Sequence, residues 1–289
     1  MLFRSVAALA PRIEQAEIDR AKRKTIGNLG AYDCYLRSLA CLQTLSKQNV
    51  EEAMALSTQA IDLDPELAPA YGLLLFCHAA GKGFAAVRNP DKDNAEVARL
   101  VRIAVRIAHD DAVALSNTAW AVAYVLHDLP HAQSLVDRAV TLNPNLARAW
   151  GFSGWINLWS GNPALAVEHL TRSMRHDPLH SSHLMNIWSA MAHACFFLDR
   201  YVESMAWAER NLRESPDAHP SLRIFAAGAA FAGMTDAGMT ETARKIGARL
   251  HAVDPEFRVS RLGTYLGPYQ KPEFLEKYAE GLRLAGLPE

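Results

Sequence analysis

The sequence has few cysteines, and none of them are closely paired. The four, at positions 34, 41, 77 and 195, form no C-x-x-C pair, whereas a secreted disulfide framework uses closer and more numerous cysteines. The segment before Pro11 holds an apolar patch that is too short for the core of a signal peptide. These absences predict a chain of the reducing cytoplasm.

The sequence also lacks an excess of charge of either sign and a long apolar run. Its 30 Lys and Arg against 31 Asp and Glu leave a net charge of -1, so it lacks the basic excess of a chain that neutralises phosphates. The longest uncharged stretches, residues 112–126 and 149–167, contain Ser and Asn, and Gly161 and Pro163 interrupt the second. We therefore expect neither a nucleic-acid partner nor a membrane span.

Alanine is abundant, at 48 of the 289 residues, and half of the chain is apolar. Alanine is the best helix former and is depleted in strands. The composition therefore predicts an all-α protein with enough apolar material for a buried core.

A repeat is visible where a small or apolar residue is followed, five places later, by Pro. The anchors at positions 60, 139, 173, 211 and 250 have this pattern, and a copy at 104 has His109-Asp110 in place of Pro. Successive anchors, with 104 included, are 44, 35, 34, 38 and 39 residues apart. A second, mostly small residue precedes each anchor by seven places. This spacing predicts one helix-turn-helix unit, repeated about six times between residues 28 and 255.

The period and anchors resemble the tetratricopeptide repeat, a 34-residue helix-turn-helix unit with small residues at fixed places and Pro at its end. In the best copy, Trp150, Gly154, Ala166 and Pro178 match that pattern. The resemblance implies a right-handed α-solenoid. The apolar first helices agree, since a helix that is apolar all round must be covered on both sides. An insertion at residues 81–94, rich in Gly, Asn, Asp and Pro, predicts a surface loop.

The two ends differ from the repeats. Residues 1–27 predict a linker helix with a basic end, which would contact an acidic surface or simply be solvated and favoured by the helix dipole. Residues 256–289 predict a cap, with a helix from Pro272 whose Phe274, Leu275, Tyr278 and Leu282 share one face. Residues 11–37 resemble the junction that enters the C-terminal repeat region of bacterial regulators, where such repeats follow a class III adenylate or guanylate cyclase domain or a winged-helix domain. The segment 280–289 looks like their C-terminus.

No residue pattern predicts catalysis, a cofactor or a metal. Gly81-Lys82-Gly83 lacks the spacing of a phosphate loop. His127 and His131, and a cluster of His176, His180 and His183 with Asp177, lie beside Pro130 and Pro178, which prevent the regular face of a helical zinc pair. His193 and Cys195 are two residues apart on a helix and point in different directions. We therefore expect a protein that is not an enzyme.

A partner-binding surface remains. If the first helices line the concave face, as the resemblance implies, they direct a set of mostly aromatic side chains towards it. Trp155 and Trp159 could equally be core between repeats, being four apart on one stripe. Ser38, Gly151 and Ser189 stand where chaperone-binding relatives would place charge, so a C-terminal carboxylate clamp is not expected. The candidate groove residues are Tyr35, Asn117, Tyr124, Arg148, Trp155, Trp159, Asn186, His193 and Phe197.

The functional hypothesis is a non-catalytic module of a bacterial signalling or transcription pathway. It would bind a protein or peptide segment, or a second copy of itself, through this groove. Two alternatives stay open: a small-ligand sensor that uses the same groove, and the detached regulatory half of a nucleotide cyclase.

Overall fold

The computed structural model describes residues 16–20, 30–44, 46–83, 90–178, 181–234 and 236–289. Within these ranges the regular structure is helical, without a strand, which confirms the all-α prediction. A turn of 3₁₀-helix at Val259–Arg261 precedes the last two α-helices. The α-helices, in chain order, are α1 (Ala31–Cys41), α2 (Lys47–Leu63), α3 (Ala68–Gly83), α4 (Pro90–Ile107), α5 (Ala112–Tyr124), α6 (Leu129–Leu142), α7 (Ala147–Trp159), α8 (Pro163–His176), α9 (Ser181–Phe197), α10 (Tyr201–Glu214), α11 (His219–Ala232), α12 (Ala237–Val253), α13 (Leu262–Tyr265) and α14 (Pro272–Leu284).

Helices α1 to α12 form six consecutive helix-turn-helix pairs, which confirms a helical repeat solenoid of about six units. Three first helices contact the next first helix along the chain: α1 contacts α3, α3 contacts α5, and α9 contacts α11. Each of these first helices also packs against the second helix of its own pair. A first helix is therefore enclosed between neighbours, and eleven of the thirteen residues of α5 are buried.

The contacts divide the chain into two compact units. Unit 1 comprises Met1–Phe152 with Arg175–Asp177, and unit 2 comprises Ser153–Met174 with Pro178–Glu289. The boundary falls within α7, so Arg148 belongs to unit 1 and Trp155 to unit 2.

The two sets of repeat anchors are buried in the second helices, where the helices of a pair cross. In the best copy, a Cβ atom added to Gly154 would lie 2.6 Å from side-chain carbons of Leu170, which shows how closely α7 approaches α8. At the polar anchor Ser204 the opposite helix satisfies the side chain, whose hydroxyl donates to the Ala192 carbonyl over 2.7 Å. The buried anchors are Ala53, Ala60, Val97, Ala104, Ala132, Ala139, Ala166, Ser173, Ser204, Asn211, Ala243 and Leu250.

The bounds of the surface loop predicted at residues 81–94 are wrong at both ends, and residues 84–89 between them lie outside the described residues. Helix α3 continues through Gly83, and α4 begins at Pro90. Proline suits the first turn of a helix, where its missing N–H is not needed. Asp91 and Asp93 lie in that turn, where their negative charges interact favourably with the positive end of the helix dipole.

The chain ends are described unequally. Residues 16–20 are helical, with Ile18 buried against Cys34 and Leu36, but the rest of the predicted linker helix at residues 1–27 lies outside the described residues. At the other end, α14 packs against α11 of the last repeat. Gly281 allows this approach, because a Cβ atom there would lie 2.8 Å from that of Ala227. Tyr278 and Leu282 are fully buried.

Candidate partner-binding surfaces

The first helices of unit 1 place four aromatic rings in a row. Trp120 and Tyr124, four residues apart on α5, stack with their centroids 5.6 Å apart. Phe152 of α7 stacks on Trp120 at 4.7 Å and on Phe76 of α3 at 6.2 Å. These residues (Phe76, Trp120, Tyr124 and Phe152) form what we call the unit 1 ring row.

Two cations lie over this row. The Arg148 guanidinium is 5.3 Å from the centre of the Phe76 ring and donates to the Asn117 side-chain carbonyl over 3.3 Å. The Lys82 ammonium is 5.2 Å from the centre of the Tyr124 ring and donates to the Tyr124 carbonyl over 2.8 Å. Burial lowers the pKa of Lys82, against the opposing effect of Asp93. The row therefore combines apolar ring faces with positive charge.

The candidate residues of unit 1 do not form one surface. Asn117, Tyr124 and Arg148 lie together at the ring row, with Asn117 almost fully buried and the other two half-buried. Tyr35 is buried in another cluster, with Cys34, Leu36 and Leu73. Its ring centroid is 5.7 Å from that of Tyr32.

In unit 2, four of the five candidate residues are buried and share one surface. Trp155 lies 5.3 Å from Trp159 and 5.7 Å from His193, measured between ring centroids. The fifth, Asn186, is exposed and accepts a hydrogen bond of 2.8 Å from the Trp155 indole. Trp155, Trp159, His193 and Phe197 are called the unit 2 ring surface below.

The C-terminal segment of the same chain lies across the unit 2 ring surface. The Gln270 amide donates to the Trp159 carbonyl over 2.9 Å. Gly267 lies so close to the Trp159 ring that an added Cβ atom would be 2.3 Å from it. Phe274 stacks on Phe197 with centroids 4.2 Å apart and planes 8° apart. The C-terminal segment, which was predicted as a cap for the last repeat, therefore covers the residues that were expected to bind a partner.

Lys277 of α14 is bound by the end of α9 and its neighbours. Its ammonium donates to the Phe196 carbonyl over 3.0 Å and to the Asp199 carboxylate over 2.6 Å. It lies 5.1 Å from the ring centres of Phe196 and Tyr201, and 5.8 Å from that of Phe231. The hydrogen bond from Lys277 lowers the pKa of Asp199. The site has the elements that recognise an ammonium group: ring faces, a carbonyl and a carboxylate.

His193, at the centre of the unit 2 ring surface, is neutral. Its Nδ1 lies 2.8 Å from the Ser189 carbonyl, which can only accept, so Nδ1 holds the proton. The Tyr278 hydroxyl lies 3.4 Å from the other ring nitrogen. Burial lowers the pKa of His193 to about 4, with a smaller contribution in the same direction from Arg223.

Several contributors to these surfaces were not among the predicted site residues. Phe76, Trp120 and Phe152 in unit 1, and Phe274 and Lys277 in unit 2, are brought to them by packing between helices distant in the sequence. The spacing of Trp120 and Tyr124, four apart, was a usable local signal.

The described residues give no sign of a metal centre or of a membrane span. Among them, no group of three or more His, Cys, Asp or Glu side chains is placed to hold a metal ion. No helix in the described ranges is long and apolar enough to cross a membrane. Cys195, two residues from His193, is buried, and its pKa is raised to about 12 by that burial.

Comparison with known proteins identifies the fold through structure alone. Comparing the sequence with protein families and with curated proteins gives no match. Among solved structures, PilF of Pseudomonas aeruginosa is similar over 86% of this chain and 96% of its own, with 20% identity and a TM-score of 0.54.

Two further structures have the same fold. TTC0263, a tetratricopeptide repeat protein of Thermus thermophilus, is similar over 69% of this chain and 98% of its own, with 15% identity and a TM-score of 0.51. The Cut9–Hcn1 hetero-tetramer of the APC/C matches 90% of this chain with a TM-score of 0.62 and 12% identity; the match covers 45% of the chain compared. The fold of this protein is thus a tetratricopeptide-like helical repeat.

Proposed function

We propose that this chain is a non-catalytic interaction module that binds a helical segment of a partner protein on the first helices of unit 2. The observation that supports the proposal is that these helices already hold a helix, α14, through side-chain contacts of the kind found between proteins. The binding mode is a helix laid on an apolar surface and read by side chains three and four residues apart.

The contacts of α14 define what such a partner must present. Phe274 supplies a ring that stacks on Phe197, three residues before Lys277 and four before Tyr278. Aromatic stacking of this kind contributes about 0.5–1.5 kcal/mol beyond the buried area. An ammonium over ring faces contributes a further ~0.5–2 kcal/mol, depending on its desolvation. A partner helix with an aromatic residue followed three places later by Lys can make the same contacts.

The unit 1 ring row supports a second binding region of related chemistry. Aromatic residues and Arg concentrate the binding energy of protein interfaces. Arg148 and Tyr124 are half-buried and retain surface for a partner.

Competition with a free peptide tests the proposal. The probe is a fluorescent peptide of residues 272–284, added to the full chain carrying Phe274→Ala and Lys277→Ala, which weaken the resident helix. We expect saturable binding, seen as a rise in anisotropy, that falls at least about tenfold when Phe197→Ala is added.

The matched control is Val202→Ala, another apolar truncation, at a side chain that is 74% exposed. It should leave binding unchanged. Absence of binding, or equal losses from Phe197→Ala and Val202→Ala, would refute the proposal. Light scattering of the weakened variant without peptide tests whether a second copy of the chain supplies the helix instead.

We further propose that the module acts in the cytoplasm, in a bacterial signalling or transcription pathway beside a cyclase-like or winged-helix effector domain. The support is the resemblance of residues 11–37 and 280–289 to the repeat regions of such regulators. The coding sequence upstream of Met1 tests this: an in-frame effector domain of either kind supports the assignment, and an unrelated neighbouring gene contradicts it.

A further inference from the structure

Helix α11 buries an arginine beneath α14. Arg223 is 4% exposed, between the fully buried Leu222 and Ile224. Its guanidinium lies 5.8 Å from the centre of the Phe257 ring and 5.5 Å from that of the Tyr265 ring. Its charge, and a hydrogen bond between it and the Tyr278 hydroxyl, lower the pKa of Tyr278, against the larger effect of burial, which raises it.

No carboxylate in the described part of the chain pairs with this cation. None of the ion pairs among the described residues includes Arg223, and its Nε has no hydrogen-bond acceptor. An arginine keeps its charge in a protein, and buried arginines are almost always paired. His193 and Tyr278, whose pKa values the Arg223 charge lowers, are both neutral at pH 7. The ring faces offset part of the desolvation cost, but they supply neither an acceptor for Nε nor a negative charge.

The resident helix is thus an incomplete ligand for this surface. Helix α14 supplies apolar contact and a phenol hydroxyl. The planar guanidinium of an arginine, with its several N–H donors, is instead complementary to a carboxylate. Tyr278 is fully buried, so another group reaches Arg223 from this side only when α14 leaves. A helix with an acidic side chain at the place of Tyr278 would form an ion pair with Arg223, where α14 offers only a neutral hydroxyl.

We propose that Arg223 is the carboxylate-binding residue of the unit 2 surface, and that the partner is an acidic helical segment that displaces α14 and places a Glu or Asp side chain against Arg223. This inference rests on the proposed function and adds the chemistry of the partner. The partner therefore resembles α14 in its aromatic residue and Lys, and differs from it by one buried acid.

Three peptides of residues 272–284 test the inference: the native sequence, one with Tyr278→Glu and one with Tyr278→Gln. Each is titrated against the full chain carrying Phe274→Ala and Lys277→Ala. Both substituted peptides lose the tyrosine ring, so their comparison isolates the charge. We expect the Glu peptide to bind at least about tenfold more tightly than the Gln peptide.

Arg223→Met in the same chain supplies the second arm, since methionine fills much of the volume without the charge. It should bring the Glu and Gln peptides to equal affinity. If the Glu and Gln peptides bind with equal affinity to the chain that retains Arg223, the inference is overturned while the proposed function stands. This comparison does not depend on a substitution at Arg223. Absence of binding by all three peptides would refute the proposed function, and the inference with it.

Discussion

The close approach of α7 and α8 predicts that adding a side chain at Gly154 destabilises the protein. A Cβ atom built there lies 2.6 Å from both Cγ and Cδ2 of Leu170. Carbon atoms in a packed core are normally ~3.5–4.0 Å apart. Leu170 is fully buried, so it has no solvent into which to move. The substitution Gly154→Leu therefore forces α7 and α8 apart by roughly 1 Å or more.

The expected change in unfolding free energy for Gly154→Leu is the difference between an overpacking cost and a helix-propensity gain. Overpacking a core typically costs about 1–3 kcal/mol, and occasionally more. Replacing glycine inside a helix returns about 0.8–1 kcal/mol through helix propensity. Because Leu adds three carbons beyond Cβ at an already blocked position, we expect the upper part of the overpacking range. The net loss in unfolding free energy should be about 2 kcal/mol.

A second helical glycine provides the control. A Cβ atom on Gly81 of α3 meets no atom within 4 Å. Gly81→Ala should therefore keep the helix-propensity gain and stabilise the protein by ~0.5–1 kcal/mol. Ala147→Leu, at the half-buried start of α7, should cost less than Gly154→Leu. Urea unfolding followed by circular dichroism measures all three, and the packing assigned to Gly154 is refuted if Gly154→Leu and Gly81→Ala shift the midpoint in the same direction.

Three further perturbations address unit 2. The pKa of His193 is lowered from 6.5 to about 4, so the unfolded chain binds more protons than the folded chain between these two pH values. The free energy of unfolding should therefore fall by about 3 kcal/mol as the pH drops from 6.5 to 4, at roughly 1.4 kcal/mol per pH unit. Urea unfolding measures this fall, and His193→Gln should abolish it. Lys277→Met removes the bonds to the Phe196 carbonyl and to Asp199, so the amides of α14 should exchange several-fold faster with deuterium while those of α5 stay unchanged. Gly267→Ala places a methyl group 2.3 Å from the Trp159 ring; it should detach the segment and shift tryptophan emission to the red, and an unchanged spectrum would contradict that contact.

Much of the fold could be predicted from the sequence because its signals are local and repeated. Each pair carries its own anchors, which are mostly small, and most pairs end in Pro, so one misread copy does not displace the next. The helix predicted to begin at Pro272 does begin there, as α14. The insertion at residues 81–94 was misjudged because its Gly and Pro residues lie inside helix ends, where both are tolerated.

The surfaces were less predictable, because they depend on which distant helices meet. Tyr35 has the residue type and helical phase of a binding residue, yet the packing of α1 and α3 buries it in a local core. The aromatic face of α14 was apparent, but whether it would cover only the last repeat or extend to Trp159 and Phe197 depends on how residues 266–271 cross the first helices. Arg223 gave no sequence signal, since a lone arginine on a helix is ordinarily solvent-exposed.

The central claim is that α14 occupies the surface where a partner would bind. Hydrogen–deuterium exchange of the intact chain, resolved at residues 272–284, tests it most directly. If α14 is held by Phe197, Phe196 and Asp199 as described, its central amides should exchange as slowly as those of α11, and Phe197→Ala should accelerate them at least about tenfold. Exchange of residues 272–284 at the rate of the free peptide, in a chain whose α11 remains protected, would contradict the account.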